Sequence, residues 1–94
     1  MKITPRNLIF HELIGLKVKV IKCSNKDCLG INGIIVDESK NIFYIKGDDG
    51  KIRKLIKRNC VFLFELPSGE KVLVDGRVIV GRPEERIKRV VKKW

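Results

Sequence analysis

Between Leu16 and Gly81 short apolar runs rich in β-branched residues alternate with clusters of Gly, Pro, Asn, Asp and Ser, and this rhythm limits the fold more than any other feature. Helices need longer uninterrupted stretches, whereas short strands joined by tight turns need this pattern. Leu16, Val18 and Val20 alternate with Lys17 and Lys19, which predicts a strand with one buried face and the lysines outward. CSNKDCLGING then reads as a loop, and Ile31 to Val36 as a second strand in which Gly33 permits a bend or bulge. A turn over Asp37 to Asn41 leads to a third strand from Ile42 to Lys46. GDDG turns into a fourth strand within KIRKLIKRN. CVFLFELP, KVLVDG and a short RVIVG complete the series, which predicts a small antiparallel sandwich or barrel.

The two ends carry helix punctuation. In TPRNLIFHELIG, Thr4 suits the N-cap, Pro5 the first helical position and Gly15 a left-handed stop, so a helix is expected over 5–14. Leu8, Ile9, Phe10, Leu13 and Ile14 make it more apolar than a surface helix requires, so the core or another protein must cover the excess. RPEERIKRVVKKW predicts a C-terminal helix over 83–93, with Glu84 and Glu85 in its first turn and Lys92 and Lys93 near its end, as the helix dipole favours. At 94 residues the chain is expected to form one domain over 1–94. No apolar run approaches the roughly 18 residues of a membrane span, and the N-terminus has no secretory signal, so a soluble cytoplasmic protein is expected.

Charge supplies the functional argument. The net charge of +10 is large for 94 residues, and self-repulsion of that size points to an anionic partner, with nucleic acid foremost. The excess is segregated: residues 51–59 carry five basic groups and no acid, while 37–49 carry four acids against two lysines. Phosphates are held by Lys through charge and by Arg also through paired hydrogen bonds. The candidate RNA contacts are therefore Lys17, Lys19, Arg53, Lys54, Lys57, Arg58, Arg82, Arg86 and Arg89. Phe10, Phe43, Tyr44, Phe62, Phe64 and Trp94 lie mostly in apolar runs and read as core, which favours recognition of structured RNA by backbone and shape over stacking on single strands.

Catalytic chemistry is not encoded in any recognisable motif. The chain has one His and no P-loop, Cys-His dyad or metalloprotease motif. Cys23, Cys28, Cys60 and His11 amount to four possible zinc ligands, but CxxxxC is looser than the usual pair, so buried thiols are the expected reading and no metal ligand is assigned; a Cys23–Cys28 disulfide is no better supported.

Three motifs, NLIFHELIGL at 7–16, GINGIIVDESKNIFYI at 30–45 and GRPEERIK at 81–88, together closely resemble the archaeal ribonuclease P protein component 1 family. The likeness spans nearly the whole chain, including FLFELPSGEKVLVDGRVIVGRPE. It implies a mainly β, Sm-like, strongly bent antiparallel barrel of about six strands with short terminal α-helices. It also implies a non-catalytic subunit of the ribonucleoprotein that cleaves the 5′ leader from precursor tRNA. In such an assembly the RNA is catalytic and requires Mg2+, and the protein itself binds no cofactor.

The partners implied are ribonuclease P RNA, in its specificity domain, a zinc-ribbon protein subunit, the other ribonuclease P proteins and, indirectly, precursor tRNA; no membrane is implied. By the same resemblance Leu8, Phe10, His11, Glu12 and Leu13, with Ile31 and Ile34 on the second strand, are the candidates for meeting the zinc-ribbon partner. The acids of VDESKN either pair with neighbouring lysines or meet a basic partner. The chain departs from a typical member in its short N-terminus and its Cys23–Cys28 loop, so a basic upstream arm is expected to be absent and RNA binding to rest on the barrel and the C-terminal helix. Two other readings stay open: a stand-alone Sm-like RNA chaperone that forms a ring, and a ribosome-associated module for which RNA contact is secondary.

Overall fold

The alternating apolar runs become six strands of one antiparallel sheet in the computed structural model, which describes residues 3–82 and 84–86. The strands are β1 (Lys17–Cys23), β2 (Asn32–Glu38), β3 (Ile42–Gly47), β4 (Ile52–Ile56), β5 (Cys60–Glu65) and β6 (Lys71–Asp75), in the spatial order β4-β3-β2-β1-β5-β6. The fold is mainly β, a sheet bent around its own core. Val18 and Val20 of β1, Ile35 of β2, Phe43 and Ile45 of β3, Leu55 of β4 and Phe62 and Phe64 of β5 are buried on one face. The rings of Phe43 and Phe62 meet edge to face at 5.2 Å, an arrangement aromatic quadrupoles favour.

Two β-bulges decide what points inward. In β1 the register shifts between Val20 and Lys22, and in β2 between Ile35 and Asp37, so Ile21 and Val36 are extra residues and both are partly exposed. Each bulge resets the alternation that follows it. Cys23 therefore pairs with Cys60, and Glu38 with Phe43, on the buried side of the sheet. The bulge expected at Gly33 lies instead at Val36; Gly33 keeps regular pairing and allows close approach of β3, since a Cβ there would lie 2.1 Å from the Lys46 carbonyl oxygen.

The expected helix over 5–14 is instead a single 3-10 turn, Leu8–Phe10. Thr4 and Asn7 exchange side-chain bonds, Asn7 Oδ1 accepting from the Thr4 amide at 2.7 Å and Thr4 Oγ1 from the Asn7 amide at 3.3 Å. The carbonyls of Ile9 and His11, which would continue a helix, accept from Arg86, and the Gly15 amide donates to Ile35 across to β2. Tertiary partners take the groups a helix would need. The final strand expected at RVIVG is a 3-10 turn, Gly76–Ile79, started by the Asp75 carboxylate accepting from the Arg77 amide at 3.0 Å. Residues 84–86 are helical; the rest of the expected helix over 83–93, Arg89 included, lies outside the described residues.

Candidate nucleic-acid interface

Period two places side chains of every second residue on the outer face of the sheet, and the strand register lines them into rows. One row runs Lys71, Glu65, Lys17, Ile34, Lys46 and Ile52 across all six strands. The adjacent row holds Leu73, Leu63, Lys19 and Asn32. Lys17, Lys19 and Lys71 flank a shallow groove over Leu63 and Asn32. Lys17, Lys19, Lys46 and Lys71 are all exposed, and the one acid among them, Glu65, makes only a long 3.8 Å exposed pair with Lys17. Such a pair contributes little to stability and leaves the lysine available to an anion. Lys46 and Lys71 were not singled out by composition; their outward parity on β3 and β6 was the available signal.

The basic run at 51–59 divides between faces. Lys54 sits on the outer face with its ammonium 5.9 Å from the Tyr44 ring centre. Arg53 pairs with Ile45 in register, on the opposite side, and its guanidinium donates to both carboxylate oxygens of Asp49 at 3.3 and 2.9 Å. That contact, together with the Lys51 amide, holds the Asp49 carboxyl down at about 2. Arg58 and Arg82 are exposed at one end of the barrel, where the Gly81 amide donates to the Lys40 carbonyl and brings Lys40 beside them.

Lys57 and Arg86, expected to meet RNA, are corrected to interior residues. Both are fully buried with the side chain of Glu38. The Lys57 ammonium donates to Glu38 Oε1 at 3.0 Å, to the carbonyls of Ser39 and Gly81 at 2.8 and 2.9 Å, and lies 4.8 Å from the Phe43 ring centre. Burial lowers its pKa, with the Glu38 charge working the other way. The Arg86 guanidinium donates to Glu38, to the Ile79 and Gly81 carbonyls, to Ile9 at 2.8 Å and to His11 at 2.9 Å. The Glu38 carboxylate and the carbonyls of Ile9, His11, Ser39, Lys40, Ile79 and Gly81 together satisfy two cations that water cannot reach. The acidic turn thus divides: Glu38 turns inward to this cluster, while Asp37 is exposed and accepts from the Glu38 amide.

Leu8 and Leu13, expected to meet a partner protein, are likewise corrected to core residues at 0% exposure. Phe10, His11 and Ile31 are half-buried, while Glu12 and Ile34 are exposed. Ile14, Ile34 and Val36 add exposed apolar surface beside the N-terminal segment, because Gly15 is hydrogen-bonded to Ile35. The three cysteines are free thiols, Cys60 buried and Cys23 and Cys28 half-buried. Among the described residues no group of three or more His, Cys, Asp and Glu is arranged to hold a metal ion, and no helix is long and apolar enough to cross a membrane.

A family model described as ribonuclease P/MRP, subunit p29 matches residues 6–89. The chain is 53% identical over 92 residues to the ribonuclease P protein component 1 of Methanosphaera stadtmanae, covering 97% of each chain. It is 50% identical over 90 residues to the protein of the same name from Methanocaldococcus jannaschii, covering 96% of this chain and 94% of that one. A solved structure described as Mth11, a homologue of human RNase P protein Rpp29, superposes with a TM-score of 0.60 at 48% identity, over 82% of this chain and 99% of that one.

Proposed function

The chain belongs to the ribonuclease P/MRP subunit p29 family, and from that membership we propose that it is a non-catalytic, RNA-binding subunit of ribonuclease P, the ribonucleoprotein that removes the 5′ leader of precursor tRNA. In this reading it stabilises the specificity domain of the catalytic RNA, and the Mg2+ the reaction needs is held by the RNA. The observation that carries it is the lysine-bearing outer face, where Lys17, Lys19, Lys46 and Lys71 stand on a rigid sheet. Cations fixed by strand register match a folded backbone better than cations on a mobile tail, since less side-chain and backbone freedom is lost on binding. Lys54, Arg58 and Arg82 extend the positive surface.

We assign the zinc-ribbon subunit to the apolar surface beside the N-terminal segment, which meets the lysine row at Ile34, between Lys17 and Lys46. Phe10, His11 and Glu12 lead into exposed Ile14, which the Gly15–Ile35 hydrogen bond holds beside Ile34 and Val36 of β2. The test is competition in Mg2+ between labelled ribonuclease P RNA from the same cell and an unlabelled structured RNA of equal length. Retained preference for the ribonuclease P RNA at moderate salt supports a dedicated subunit. Equal competition at every salt concentration would reduce the protein to a general RNA-binding barrel.

A further inference from the structure

Cys23 and Cys60 stand directly opposite each other on adjacent central strands, although the sequence separates them by three of the six strands. The Ser24 amide donates to the Asn59 carbonyl at 3.0 Å, so the next pair inward, Cys23 and Cys60, is a non-hydrogen-bonded one, the type in which side chains approach most closely. The Cα spacing of such a pair, about 4.5 Å, falls at the short end of the range that disulfides span. The Cys60 thiol donates to Cys23 Sγ at 3.1 Å, about 1 Å from bonding distance. Only the bulge at Ile21 makes this possible, because uninterrupted alternation after Val20 would turn Cys23 to the outer face.

Access is asymmetric. Cys60 is 3% exposed and Cys23 is half-buried at the end of β1, so a soluble oxidant meets Cys23 first. Burial raises the Cys23 pKa in part, but donation from Cys60, the Asn25 amide and Cys28 outweighs it and leaves the thiol more acidic than usual. Burial, with the hydrogen bond to Cys23 and its charge, pushes Cys60 up to about 12, so Cys60 is the proton donor of the pair and Cys23 the sulfur that more readily carries charge.

We propose that Cys23 and Cys60 form an oxidant-responsive pair, in which hydrogen peroxide oxidises Cys23 and Cys60 closes an intramolecular disulfide. In the first step the Cys23 sulfur attacks the peroxide, the O–O bond breaks, and Cys23 becomes a sulfenic acid with release of water. In the second the Cys60 sulfur displaces the sulfenic hydroxyl, which leaves as water with the Cys60 proton. Two thiols lose two hydrogens and two electrons, and the peroxide is reduced to two waters. The bond ties β1 to β5 and closes a loop containing β2, β3 and β4, without touching the outer lysine rows.

The full chain, reduced and then exposed to hydrogen peroxide, can be unfolded, alkylated and digested after Lys and Arg. Cleavage after Lys22, Lys26 and Arg58 puts the three cysteines in different peptides, so linkage is read directly. The expected result is a Cys23–Cys60 peptide about 2 Da lighter than the sum of its halves, with Cys28 still alkylated. Cys28→Ser should retain that link, and Cys60→Ser should abolish it. A Cys23–Cys28 link in the wild-type chain, links only between molecules, or Cys23 passing to sulfinic acid with Cys60 still alkylated would each overturn the proposal.

Discussion

Glu38 is the side chain on which most of the interior polar structure depends. Its carboxylate sits between Lys57 and Arg86, and these two cations in turn hold the carbonyls of Ile9, His11, Ser39, Ile79 and Gly81. Removing it strands two buried positive charges, whereas removing one cation leaves a balanced pair. Glu38→Ala is therefore expected to cost roughly 3–5 kcal/mol in urea unfolding, and Lys57→Met clearly less. Equal losses would mean that the backbone contacts of Lys57, and not the charge balance, hold the cluster. Little of this was legible in the sequence: Lys57 and Arg86 look like any other cations in basic runs, and nothing local distinguishes Glu38 from exposed Asp37.

The reason lies in the strands. Alternation read from Leu16 or Ile31 gives the correct inward face until an extra residue intervenes, and Ile21 and Val36 are ordinary β-branched residues that give no sign of being bulged. The hairpins, by contrast, were legible, because GDDG and PSGE announce their turns; Gly50 and Gly69 have φ of +80° and +92°. The N-terminal helix was misread because its capping signals were local while the partners of its carbonyls were not. Close backbone packing was equally invisible: a Cβ on Gly76 would sit 1.6 Å from the Lys57 carbonyl oxygen, where the 3-10 turns Lys57–Asn59 and Gly76–Ile79 meet. Gly76→Ala should force the two turns apart and destabilise the chain by about 3 kcal/mol in urea unfolding. Arg77→Ala, an exposed change in the same turn, should leave the urea midpoint nearly unchanged, and equal shifts for the two variants would mean that the close approach at Gly76 does not matter.

Across the molecule, segregation of the +10 charge was visible in the sequence, but its placement required the register. Lys17 and Lys19 were legible as outward residues from their alternation with Leu16, Val18 and Val20. Lys46 and Lys71 join them only because β3 and β6 lie where they do in the sheet. The family resemblance named the assembly, while the structure redistributes the cations between a buried clamp and an outer face. If this face holds RNA phosphates, binding to ribonuclease P RNA must depend on salt through these lysines. Wild-type protein should be compared with the variant in which Lys17, Lys19, Lys46 and Lys71 are all changed to Ala. Four lost phosphate contacts predict weaker binding and a log K against log salt slope shallower by about three. An unchanged affinity and slope, in a variant that still folds, would place the RNA surface elsewhere on the molecule.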